Sequence, residues 1–193
     1  MLALDGLGVM VTGDSRGTVA VWSRDGAVLY TTKLPLAIKA LCSESDSRIW
    51  VAEGASLHRV EIADGGELKV AHTFKARHET GFLGLALAGQ MLWASDGPDL
   101  KLIDTASDQV VKIVQQPAAT AINCMACVSA FGTPTLWCGS NGLVSLWSVK
   151  GRSSIKSYVD LPGEVLFIQE VGENLVLVSF AGKLHLFDLH TQS

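Results

Sequence analysis

Short apolar runs alternate with polar turns along the whole chain, and the runs repeat in a fixed order. The stretch 136–148, LWCGSNGLVSLWS, shows the unit most plainly. Leu136-Trp137-Cys138 is short, apolar and aromatic, as a buried strand is. Asn141-Gly142 is a strong hairpin signal, because both residue types tolerate the positive φ of a two-residue turn. Val144-Ser145-Leu146-Trp147 resumes as the returning strand. No stretch repeats apolar residues at i, i+3, i+4 and i+7 over the length of a helix, so the pattern predicts strands throughout.

Aligned on this unit, the chain gives apolar columns. Trp137 matches Val11, Trp50, Trp93 and Leu177. Trp147 matches Trp22, Val60, Ile103 and Phe187, and Val144 matches Val19, Leu57, Leu100 and Leu184. A repeat of roughly 40 residues with several short strands in each is the signature of a β-propeller. The expected fold is therefore all-β: a propeller of about five four-stranded antiparallel blades, the first and last incomplete. It forms a single domain over 1–193, with units at about 1–35, 36–81, 82–120, 121–163 and 164–193.

Within the units, the innermost strands are expected at 36–42, 82–87, 122–128 and 165–170, with 1–4 as the tail of a first one. Gly84 and Ala86 are small, as suits crowding at the axis. Asp25-Gly26 and Asp64-Gly65-Gly66 mark turns, and Pro35, Pro117 and Pro162-Gly163 end units. The fourth unit's outer strand is expected at 155–161. In the fifth unit, 190–193 falls where the turn to an outer strand would stand. Two readings follow. Either the blades belong to a larger ring, or five close a compact ring with one three-stranded blade. Open edge strands invite aggregation, so the larger ring is the expectation, with further blades or a catalytic domain in a longer chain.

The unit resembles the repeat of the WD40 superfamily, over essentially the whole chain. Members usually end the third strand of each repeat with Trp-Asp. Here the pairs are Trp22-Ser23, Val60-Glu61, Ile103-Asp104, Trp147-Ser148 and Phe187-Asp188. The usual Gly-His before the innermost strand is missing, so the family's His–Asp network is expected to be absent. Leu92-Trp93-Ala94-Ser95 and Leu136-Trp137-Cys138-Gly139 are also similar to the propellers of inositol polyphosphate 5-phosphatases and some Rho exchange factors. That likeness implies the alternative function, a regulatory propeller within a larger signalling enzyme.

Composition narrows the function. Hydrophobic residues make up 48% and charged residues 18%, so most strands must be covered on both faces. The net charge of −4 argues against nucleic acid, because phosphate contacts need clustered Lys and Arg. No apolar run reaches the roughly 18 residues of a membrane helix, and the N-terminus lacks a secretory pattern, so no membrane insertion is expected. Cys42, Cys124, Cys127 and Cys138 sit inside expected strands and read as reduced, buried residues of a cytoplasmic protein.

Catalytic chemistry finds little support. Cys124-x-x-Cys127 lacks a second pair, and residues three apart on a strand point to opposite faces. His58 and His185 share a column with Ala20, Lys101 and Ser145, expected to be a partly exposed strand face. His72, His78 and His190 are scattered. The segment 13–17, GDSRG, lies between two strands and not before a helix, so it reads as a turn, not a phosphate loop. No hydrolase elbow, P-loop or zinc-protease motif is present. The expected protein is a non-catalytic interaction or scaffold propeller with no cofactor and no metal.

The binding face is expected where the turns between second and third strands meet the linkers between blades. Glu53, Asp96, Ser140 and Phe180 follow the Trp137 column by three residues, with Ser15 equivalent in the first unit. An exposed turn there favours polar residues, which makes Phe180 the candidate apolar anchor for a protein partner. Arg16 and the linker residues Lys75, Arg77 and His78 are the candidate steering charges, because aromatic and Arg residues dominate interface energetics.

Overall fold

The computed structural model describes residues 1–4, 6–63, 67–116, 120–129, 133–158, 161–172 and 174–189. Its strands form five separate antiparallel sheets, the blades of a five-blade β-propeller arrangement. Blade 1 is β1 (Leu2–Leu4), β2 (Val9–Gly13), β3 (Thr18–Ser23) and β4 (Val28–Lys33). Blade 2 is β5 (Ile38–Ser45), β6 (Arg48–Glu53), β7 (Ser56–Ile62) and β8 (Leu68–Lys75). Blade 3 is β9 (Leu85–Ala88), β10 (Met91–Asp96), β11 (Asp99–Asp104) and β12 (Gln109–Gln115). Blade 4 is β13 (Ile122–Val128), β14 (Thr135–Ser140), β15 (Leu143–Ser148) and β16 (Ser153–Tyr158). Among the described residues blade 5 has three strands, β17 (Val165–Gly172), β18 (Leu175–Phe180) and β19 (Lys183–Asp188).

The first blade is thus four-stranded, although β1 holds only three residues. The innermost strand of blade 3 starts later than the pattern predicts. Residues 82–84 are diverted because the Ser95 hydroxyl accepts from the Leu83 and Gly84 N–H groups. Gly84 itself lies against Met125, where a Cβ would come within 3.0 Å of that side chain. The fourth outer strand runs earlier than expected, over Ser153–Tyr158. The expected turn at 64–66, Pro117 and 190–193 lie outside the described residues.

Strand alternation gives every blade two faces, and the faces stack in sequence order. In blade 2, Ile49, Val51 and Val60 face back onto Val11, Val19 and Val21 of blade 1. Its Trp50, Leu57 and Phe74 face forward onto Leu92, Ala94 and Ile103 of blade 3. Trp93, Leu100 and Leu102 continue the series against Leu136, Cys138 and Trp147. Trp137 and Val144 do the same against Val176 and Val178. The Trp137 and Val144 columns are therefore the forward face of each blade, and the Trp147 column is the backward face. Four junctions hold four apolar clusters; among the described residues no such cluster joins blade 5 to blade 1.

The indole N–H groups show how these aromatics are accommodated. Trp50 Nε1 donates to Glu44 Oε2 at 3.0 Å, and Trp147 Nε1 donates to Ser145 Oγ at 3.0 Å. Trp93 Nε1 is buried without a partner among the described residues. Its ring still contributes a large apolar area to the junction.

Candidate functional site

In blades 2, 3 and 4 the last residue of the second strand does not point into solvent. Glu53, Asp96 and Ser140 are all buried, contrary to the exposed turn expected of them. Each lies on the backward face and reaches the linker that arrives from the preceding blade. Glu53 Oε1 accepts from the Leu36 N–H at 3.0 Å. Ser140 Oγ accepts from Gln116 Nε2 at 2.9 Å. Asp96 accepts from the N–H groups of Arg77 (2.9 and 3.0 Å) and His78 (3.1 Å). The linker N–H groups of Leu36, Arg77 and His78 are thus satisfied by buried carboxylates, whereas Ser140 holds the Gln116 side chain.

The neighbouring column supplies each clamp with a partner. His58, Lys101 and Ser145 are buried, not the partly exposed face the pattern suggests. His58 lies between Glu53 Oε2 (3.0 Å) and Thr73 Oγ1 (2.9 Å). Lys101 Nζ sits 2.9 Å from Asp96 Oδ2, donates to the Lys75 carbonyl at 2.9 Å, and lies 5.0 Å from the Phe82 ring centroid. Polar residues thus stay inside because each has a charged or hydrogen-bonding mate. The resulting buried polar network is built from Glu53–His58–Thr73 and Asp96–Lys101.

The fifth blade breaks the series. Phe180 occupies the clamp position and is only 6% exposed. It stacks on His185 at 3.9 Å between ring centroids, in the apolar cluster that also takes in Leu161 of the incoming linker. An apolar contact replaces the polar clamp. Phe180 is consequently a packing residue and not an exposed anchor.

The linker at blades 2 and 3 carries the remaining charged candidates. Lys75 Nζ donates to Ser56 Oγ at 2.8 Å. His78 Nε2 donates to Asp99 Oδ2 at 3.1 Å, and Arg77 Nη1 lies 3.6 Å from the same oxygen. The Arg77 side chain nevertheless stays 59% exposed. Arg77 and His78 are thus held on one loop whose backbone is fixed by a buried carboxylate, directly after Lys75 at the end of β8. Arg16 belongs to a different turn, in blade 1. There Asp14 Oδ1 accepts from the N–H groups of Arg16 (2.9 Å) and Thr18 (2.7 Å). The positive φ of Gly17 (85°) lets the chain pass close to the Leu34 and Leu36 carbonyls, where a Cβ would clash.

Electrostatics at the clamp follow from its contacts. Burial works to raise the Asp96 carboxyl, but the Lys101 ammonium and the Arg77 and His78 N–H groups outweigh it and hold it below the ordinary value. The thiols go the other way. Burial pushes Cys42 up to about 11 and Cys124 up to about 12, and it raises Cys127 and Cys138 as well. Such thiols stay protonated at neutral pH and are poor nucleophiles and metal ligands. Cys124 packs toward blade 5 and Cys127 toward blade 3, so the two diverge as strand alternation requires. Among the described residues, no three His, Cys, Asp or Glu groups converge as a metal site.

Sequence reasoning missed Asp99 and the buried role of Asp96 and Lys101. Their signal was available: two acids and a lysine amid the apolar strand pattern of 91–103. Compared with known proteins, the chain matches no family model and no curated protein.

Proposed function

We propose that this chain is a non-catalytic, WD40-like interaction propeller of the cytoplasm that binds a protein partner through the Lys75–Arg77–His78 loop. The observation that carries the reading is the Asp96 clamp. It fixes the Arg77 and His78 backbone while leaving the Arg77 guanidinium largely in solvent. A binding residue on a pre-ordered loop loses little freedom on docking. An exposed guanidinium on such a loop suits a carboxylate, which it can engage through two hydrogen bonds. The partner surface is accordingly acidic at its point of contact. Four unpaired thiols support a reducing compartment.

The test is recovery of partners from native extract by immobilised wild type, Arg77→Glu and Arg77→Lys, each with an unchanged circular dichroism spectrum and melting temperature. Charge reversal is expected to abolish capture of a specific partner, and lysine to restore part of it. Equal recovery by wild type and Arg77→Glu would refute the reading.

A further inference from the structure

The forward face of blade 5 repeats a pattern that every other blade buries. Leu57, Leu100 and Val144 are at most 1% exposed, each covered by the backward face of the next blade. Leu184 stands in their column and is 66% exposed. Leu186 beside it is 59% exposed. Strand pairing sets Phe167 opposite Ser179 and Leu184, and Leu177 opposite Leu186, so all four apolar side chains share this face. At the other end, no described residue outside blade 1 forms an apolar cluster with its backward face. Register places Ala3, Met10, Trp22 and Val28 together there. Trp22 and Met10 occupy the positions that Trp147 and Leu136 hold in blade 4, where they cover Trp93 and Leu100.

We infer that the two end faces are the halves of one interface, and that the forward face of blade 5 takes the backward face of blade 1 from a second copy of this chain. The occupant follows from continuity with the four internal junctions. Each joins a forward face of the Trp137 and Val144 columns to a backward face of the Trp147 column, and the two exposed ends carry one set each. The contact is head-to-tail, so copies associate into a ring where the rotation closes and into a filament where it does not. Apolar faces left open in this way drive association. The inference is independent of the Arg77 loop, which lies at the junction of blades 2 and 3.

Two variants of the full chain separate the possibilities. Leu184→Lys disables the forward end, and Met10→Lys disables the backward end. Sedimentation velocity over a concentration series is expected to show wild type growing beyond the monomer mass. Each variant alone stays monomeric, because it keeps only one kind of working face. An equimolar mixture of the two forms a heterodimer, because one complete interface remains. Circular dichroism and melting temperature establish that both variants are folded. A wild type that stays monomeric at every concentration overturns the inference. So does self-association of Met10→Lys alone, which would mean that like faces pair, and so does a mixture that stays monomeric.

Discussion

Val144 and Leu184 hold the same position in consecutive blades, on the third strand and the forward face, yet one is buried and the other lies open. Val144 packs under Val176 and Val178, whereas among the described residues no blade packs over Leu184. The residues are chemically alike, and their own sheets have the same strand pairing at this point. A column of apolar residues thus encodes which face a side chain takes, not whether that face is covered. Coverage is a property of the neighbour. A blade is stabilised from both sides in the middle of the array and from one side at its ends, as in other stacked-repeat architectures.

The largest losses of stability are expected where aromatic columns are closed by a neighbouring blade. Trp93→Ala and Trp137→Ala each remove a side chain buried between two blades, and each is expected to cost about 3–5 kcal/mol by urea unfolding. A loss under about 1 kcal/mol for Trp137→Ala, within reach of surface changes, would break the assigned register.

The matched pair Leu100→Ala and Leu184→Ala sharpens it. The first empties a filled junction and is expected to cost about 2–5 kcal/mol. The second alters an exposed face and is expected to stay within about 0.5 kcal/mol in the monomeric protein. Similar costs for the two would mean that blade 5 is covered in solution.

The smallest effect concerns acid. The folded Asp96 carboxyl lies below its unfolded value of about 3.9, so its contribution is fully present above that pH. It fades as pH falls through the folded value. In Asp96→Asn this part of the acid dependence is absent, and stability plotted against pH is flatter below about pH 4 than in wild type. Parallel acid limbs would show that the carboxylate is not held by Lys101 and the linker N–H groups. The variant is also less stable at neutral pH, because Lys101 remains buried without its counter-charge.

Much of the fold was legible because period-two alternation and turn residues fix strands locally. The strands expected at 1–4, 122–128 and 165–170 fall within two residues of the observed ones, while the one expected at 36–42 runs on to Ser45 and two others are displaced. The two displacements have particular causes: the Ser95 hydroxyl diverts 82–84, and the fourth outer strand begins at Ser153, in polar residues that apolar patterning passes over. The candidate site was only half legible. Lys75, Arg77 and His78 stand out as a charged linker, but the acid that fixes them lies 18 or more residues further on, in another blade. A polar residue at the end of a strand looks the same in sequence whether it meets water or a linker N–H. Phe180 differs from the expectation for that reason: an apolar residue on a solvent-facing column is an anchor, and on a buried one it is packing. Once Glu53, Asp96 and Ser140 are seen to be buried, Phe180 is the apolar solution to the same packing problem.

The most direct measurement is solvent exposure of leucine methyl groups, read by NMR with a soluble paramagnetic probe on the monomeric Met10→Lys variant. The account predicts strong relaxation of the Leu184 and Leu186 methyls and almost none for Leu57, Leu92, Leu100 and Leu136. Protection of Leu184 and Leu186 to the level of Leu100 in the monomer would mean that blade 5 closes onto blade 1 within one chain, and would contradict it.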